Sequence, residues 1–270
     1  MENHMERMDA AKEKEPTIEV PSKNEPEEAG AAKPPQPIET EREGKLFEMA
    51  LCRVWETPYV GKFKYTDEDS EAKITKYVDR VRGILQYHPR MTHTAAKGSP
   101  YDFTTVPEQI EQTEEKNIHH LSNEQYLSVK TNKKGDKVCP QRFGQASKKK
   151  WCEYLGLEVE NTDIKKYILE NTPRLLNKYL ETTFECPVLY YQIPKNQLMY
   201  VRMINPIVWE PEKIAFSKTY ETWNESSSLK YAGKSLGEFQ IHNHRNNVKF
   251  RWNFLNLMKV FPQAFQIVFL

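Results

Sequence analysis

Between Gly44 and Thr57 the apolar residues Leu46, Phe47, Ala50, Leu51, Val54 and Trp55 recur at steps of three and four, one stripe along a helix. Glu48 sits beside that stripe, and Thr57-Pro58 stops the helix. A second helix is predicted from about Asp67 to Gln86 through Ile74, Tyr77, Val78, Val81, Ile84 and Leu85. Its opening, Thr66-Asp67-Glu68-Asp69, supplies the acids that suit a helix N-terminus. The period then changes. Met91–Val106 reads as extended chain broken by Gly98 and Pro100, with a short strand over Tyr101–Val106. Pro107–Glu115 is polar, a helical turn or a loop. The next strand is predicted over Gln125–Asn132, closed by a Lys133-Lys134-Gly135-Asp136 turn.

A helix beginning near Ala146-Ser147 carries Trp151, Cys152, Tyr154 and Leu155 and ends at Gly156. Asp163–Phe184 is predicted as one longer amphipathic helix, kinked at Pro173. Val188–Ile193 and Leu198–Ile204 read as two strands joined by Pro194-Lys195-Asn196-Gln197. Phe239–Phe254 mixes basic and aromatic residues, and Phe261–Leu270 is an apolar closing strand. There is no internal repeat. Helices flanking a group of strands give a mixed α/β class, a single domain over 44–270 with a central mixed sheet.

Composition changes the picture at the N-terminus. Residues 1–43 hold six of the 17 prolines and no Phe, Tyr or Trp, too little apolar surface to offset the entropy of ordering, so a disordered tail is expected. The net charge of +1 conceals an asymmetry: Met1–Gly44 has 12 acidic and 6 basic residues, leaving 33 basic and 26 acidic residues beyond it. A basic body permits a polyanionic partner. Cys52, Cys139, Cys152 and Cys186 form no close pair, which speaks against a zinc knuckle or a disulfide framework and fits a reducing compartment. With no signal peptide and no 18-residue apolar run, the expectation is a soluble intracellular protein, in cytoplasm or nucleoid or nucleus, without membrane contact.

Candidate chemistry concentrates between Lys97 and Lys150. Hydrolysis of a phosphodiester needs charge neutralised on the phosphate and a water oriented in line with the leaving oxygen. Mg²⁺ does both and prefers carboxylates, carbonyls and water. Asp102 on one strand and the backbone carbonyl of Val129 on its neighbour are candidate metal ligands. Lys130 shares a strand face with Ser128, where its ammonium can meet water and phosphate.

These residues resemble the PD-(D/E)XK nucleases, type II restriction endonucleases in particular. Gly44-Lys45-Leu46-Phe47-Glu48 looks like the family's first helix, and Ser99-Pro100-Tyr101-Asp102-Phe103 looks like the aspartate motif. Leu127-Ser128-Val129-Lys130-Thr131-Asn132 falls where the acid-x-lysine motif belongs. Val138–Gln145 and Leu236–Gln240 also resemble stretches of restriction enzymes. The resemblance implies a restriction-endonuclease-like core, a Mg²⁺ cofactor with no organic one, and cleavage of double-stranded DNA leaving a 5′-phosphate. Cutting both strands implies a homodimer. Asp102, Glu48, Lys130 and Ser128 would form the catalytic set. Ser128 stands where the family usually has an acid, so a helix must supply the missing carboxylate: Glu48 is the first choice and Glu153 the second.

Lys133, Lys134, Lys137, Lys148 and Lys149 are candidates to track a phosphate backbone. Gln141, Arg142 and Gln145 carry side chains able to read base edges. His242-Asn243-His244 spells the letters of another nuclease class, but three adjacent strand residues cannot all face one metal, so His242, His244 and Arg245 are read as DNA contacts, with simple surface as the alternative. His119-His120 has no third ligand nearby. Two rivals stay open: a structure-specific repair or recombination nuclease, and a DNA-binding protein whose nuclease-like site is degenerate at Ser128.

Overall fold

The chain is described by a computed structural model over residues 39–85, 91–95, 99, 101–105, 126–132, 135–242, 244 and 246–270. All of these belong to one compact unit, Pro37–Leu270. The predicted tail up to residue 38, the Pro107–Glu115 segment, His119, His120, Lys133, Lys134 and Arg245 lie outside the described residues.

Helix α1, Glu39–Val54, starts five residues before its predicted N-terminus because α2, Glu68–Leu85, gives those residues partners. Arg42 donates to Asp67 at 2.8 Å and to Ser70 at 2.6 Å, and the buried Glu43 accepts from the Tyr77 hydroxyl at 2.7 Å. The predicted stripe is the buried face: Leu46, Phe47, Ala50 and Leu51 are fully enclosed. Phe47 stacks on Tyr191 at 4.9 Å and meets Tyr77 edge-on at 5.7 Å. A side chain of this size stabilises the fold by about 1.5–3 kcal/mol when buried.

The sheet beneath runs β1 (Met91–His93), β2 (Phe103–Thr105), β3 (Tyr126–Asn132), β6 (Val188–Gln192), β7 (Gln197–Met203) and β12 (Phe265–Phe269), in that spatial order. Every pairing is antiparallel except β3 with β6, which is parallel from Ser128↔Val188 to Asn132↔Gln192. A parallel pair needs a crossover, here carrying α3 (Lys148–Leu155), α4 (Ile164–Glu170) and α5 (Thr172–Thr183). Side-chain alternation gives the sheet two apolar faces. Leu127, Val129, Leu189, Tyr191, Leu198 and Tyr200 join the core under α1 and α2, while Val188, Tyr190, Met199 and Val201 join the core with α5. The class is therefore mixed α/β, with a central mixed sheet flanked by helices.

A second sheet was not predicted. It runs β4 (Lys137–Val138), β11 (Asn247–Asn253), β10 (Lys234–His242), β9 (Ser226–Tyr231) and β8 (Ile214–Phe216), all antiparallel, with β5 (Gln145–Ser147) also on β11. Its Leu229, Phe239, Ile241, Phe250 and Trp252 pack with Trp151, Tyr179 and Trp223 in the core shared with α5. Helix α6, Phe254–Val260, then leads to β12. The predicted long helix over Asp163–Phe184 is two helices. Asn171 breaks it, and Pro173 sits in the first turn of α5, where its missing N–H costs nothing.

Candidate active site

Asp102 immediately precedes β2, and its backbone N–H donates to the Leu127 carbonyl at 3.1 Å. That bond sets its side chain beside β3. Oδ2 accepts from the Val129 N–H at 2.6 Å and from the Ser128 hydroxyl at 3.2 Å. Lys130 lies two residues along the same strand face, and its Nζ stands 3.5 Å from Asp102 Oδ2. The spacing that suggested this meeting had rested on alternation alone. Asp102 and Ser128 are buried and Lys130 is half-buried.

Pairing between β2 and β3 ends at Phe103↔Leu127. Ser128 sends its N–H to the Pro187 carbonyl on the β6 side, at 2.9 Å, so Val129 turns its backbone the other way, past the end of β2. The Val129 carbonyl is thereby directed at the space beside Asp102 rather than into the parallel ladder.

Glu48 comes from α1, whose Gly44 lies against Thr131 of β3. It lines a cleft of about 370 Å³ with Lys45, Val129, Lys130, Lys137, Cys139 and Gln141 among others. Both of its oxygens accept from Lys45 Nζ, at 2.8 and 2.9 Å. Burial works to lower the Lys45 pKa, but the Glu48 charge and hydrogen bonds outweigh it, with Asp102 and Glu41 adding to them, and the ammonium is held above its usual range. Glu48 Oε2 is also 3.2 Å from His93 Nε2. The Val60 N–H donates to His93 Nδ1 at 3.0 Å, so the neutral ring carries its proton on Nε2, toward the glutamate. Tyr59 stacks on this imidazole at 4.8 Å and Phe103 meets it at 4.9 Å. Nothing in the sequence marked His93, because its partners lie on a helix and a loop far away in the chain.

Gln141 is the other unexpected member. Expected at a base edge, its amide is engaged inside the cleft in the structure: Oε1 accepts from Lys130 Nζ and lies 3.2 Å from the Ser128 oxygen, whose one proton is shared between it and Asp102, while Nε2 donates to Asp102 Oδ1 at 3.3 Å. The loop that delivers it is tightly wound. Phe143 has φ 63°, a conformation costly for a bulky residue, and is anchored by stacking on Tyr154 at 4.5 Å and Tyr179 at 4.6 Å. At Gly144 an added Cβ would lie 2.5 Å from the Pro140 carbonyl oxygen.

The remaining candidates are spread over the surface. Glu153 is exposed on α3, 3.9 Å from Lys149, and is not among the residues lining the cleft, whereas Glu48 lines it together with Lys130. Lys137 stands at the cleft and donates to Glu238 at 2.6 Å, which also accepts from Arg251 at 2.8 Å. Arg142 pairs with Glu185 at 3.1 Å. Gln145 is exposed on β5 and Lys148 half-buried at the start of α3. His242 and His244 lie at the far end of β10 and in the turn beyond it.

The donors facing Lys130 are carboxylate and carbonyl oxygens, the set a hard cation prefers. Cysteine chemistry is disfavoured. Burial pushes the Cys52 and Cys186 thiols up to about 12, and burial also raises Cys139 and Cys152, so no thiolate is ready near neutral pH.

Neither a protein-family model nor a solved structure matches the chain. It is similar to a type II restriction enzyme. That relative is CviAII of Paramecium bursaria Chlorella virus 1, 39% identical over 236 residues that make up 86% of this chain. The chain spans 63% of the length of that enzyme.

Proposed function

We propose that this protein is a Mg²⁺-dependent endonuclease of the PD-(D/E)XK type that cuts double-stranded DNA. The observation that carries the proposal is the Asp102 carboxylate 3.5 Å from Lys130 Nζ at the ends of neighbouring strands, in a chain similar to a type II restriction enzyme. Asp102, Glu48 and the Val129 carbonyl fit Mg²⁺, being oxygen donors that line or border one cleft, and Asp102 Oδ1 accepts only from the Gln141 amide among the bonds described. Bound there, Mg²⁺ would neutralise charge on the scissile phosphate and favour ionisation of a water.

The protein's own groups supply the rest. Lys130 Nζ is placed to hold a phosphate oxygen and the attacking water together. Its current acceptor, Gln141 Oε1, is a neutral amide that an anionic phosphate oxygen outcompetes. The Ser128 hydroxyl orients Asp102 without adding charge, which leaves the second carboxylate to Glu48. His93, and Lys45 from within the cleft, fix that carboxylate's rotamer. Lys137 at the cleft offers a contact to the neighbouring phosphate. Two copies of the chain would present one such cleft to each strand.

Purified protein incubated with long duplex DNA and Mg²⁺ should release discrete fragments with 5′-phosphate ends. Asp102→Asn and Lys130→Ala should each slow cleavage at least about a hundredfold, with the circular dichroism spectrum unchanged. Cleavage that persists in both variants would remove the site. Failure of the wild-type protein to cut any duplex in Mg²⁺ would remove the function.

A further inference from the structure

The second sheet carries a cluster that the cleft does not use. Strand β9 starts one residue after Glu225, β10 ends at His242, and His244 sits in the turn that follows. The Ile241 N–H donates to the Glu225 carbonyl at 2.7 Å, which fixes Glu225 beside the end of β10. His242 closes β10 and His244 stands two residues on, in the turn beyond it.

The ligand-capable atoms of Glu225, His242 and His244 all lie within 4.8 Å of one another. His244 Nδ1 is 3.8 Å from Glu225 Oε1, too long for a hydrogen bond, and the two imidazoles are 5.7 Å apart at 72°. His242 Nδ1 is buried with no hydrogen-bond partner among the described residues. Two imidazoles and a carboxylate thus converge without satisfying one another. Ligand atoms on a tetrahedral ion with bonds of about 2.1 Å stand roughly 3.4 Å apart. Closing to that spacing needs shifts of about an ångström, within reach of the exposed Glu225 and His244 side chains by small χ adjustments.

We propose that Glu225, His242 and His244 form a binding site for a divalent transition-metal ion of the zinc and cobalt type, separate from the oxygen-donor cleft. Two imidazoles with one carboxylate select such ions over Mg²⁺. Three protein ligands leave a fourth position open to water or to an anionic group. The ion would pin the β10–β11 turn to the start of β9. The same turn is tied to α3 through the Lys148 N–H and the Asn246 carbonyl, 2.9 Å apart.

The test is a Co²⁺ titration of the chelator-treated full chain in excess Mg²⁺, read by visible absorption and by equilibrium dialysis. One tight equivalent with nitrogen-ligand bands is expected, displaced by Zn²⁺ and unaffected by Asp102→Asn. Glu225→Gln and His244→Ala, both at exposed positions, should each weaken it more than about tenfold while the fold is retained. Absence of stoichiometric Co²⁺ binding would overturn the site. So would affinity unchanged in both ligand variants, or binding lost in Asp102→Asn instead.

Discussion

Gln141 has one acceptor and one donor group, and the cleft uses both. Its Oε1 holds Lys130 and Ser128, and its Nε2 reaches Asp102. Removing it should leave the Asp102–Lys130 pair intact but let the ammonium wander. Loss of one hydrogen bond to a charged group costs about 1.5 kcal/mol, so Gln141→Ala should lower kcat about tenfold with little change in KM. Gln141→Asn, which keeps both an acceptor and a donor on a shorter stem, should recover part of that rate in steady-state assays. An equal fall in both variants, or a change confined to KM, would show that Gln141 serves binding instead. Asp102, Ser128 and Lys130 were legible in the sequence because alternation along a strand fixes which side chains share a face. Glu48 was legible because the helical stripe beside it oriented the helix. Gln141 was not, since no local pattern announces that Phe143 adopts a positive φ and turns the loop inward.

The loop around Gly144 sets that orientation. Its φ is unexceptional; what requires glycine is the Pro140 carbonyl oxygen 2.5 Å from where a Cβ would stand. Backbone cannot yield as a flexible side chain can, so Gly144→Ala should destabilise the protein by about 1–3 kcal/mol. A thermal melt should show Tm lowered by several degrees, roughly 2–4 °C per kcal/mol for a chain of this size. A melt identical to wild type would mean that the loop has room to shift. Other elements divide by how strongly their patterns speak. The stripes of α1 and α2 and the strands β3, β6 and β7 were predicted close to their observed spans. The single helix over Asp163–Phe184 was not, because Pro173 reads equally well as a kink or as a first-turn residue, and Asn171 gives no separate sign. The strands over 214–238 escaped notice since Ser226-Ser227-Ser228 and the lysines around them dilute a period-two signal carried by Ile214, Phe216, Leu229, Tyr231 and Leu236.

At the scale of the whole molecule, three strands of the second sheet are tied together by charge beside the cleft. Lys137 of β4 and Arg251 of β11 both donate to Glu238 of β10. Burial pushes the Glu238 carboxyl up, but these two hydrogen bonds and the charges behind them win, and its pKa is held below the ordinary 4.5. A carboxyl depressed in the folded state contributes stability above its unfolded pKa and loses it as pH falls through the folded value. Glu238→Gln should therefore lower Tm near neutral pH and flatten the acid side of the Tm–pH curve below about 4.5. An acid limb as steep as that of the wild type would mean that other carboxylates set it.

The parallel pairing of β3 with β6 has a consequence in time. Glu48, Asp102, Lys130 and Gln141 come from four separate stretches, and the strand bearing Lys130 is flanked by β6 only after the crossover helices have been made. A nascent polypeptide that has left the ribosome as far as Gln141 already contains every letter of the cleft, yet lacks the sheet that assembles it. On the proposed reading of the cleft, a translation product that stops short of β6 would carry the site residues without the sheet that holds them together.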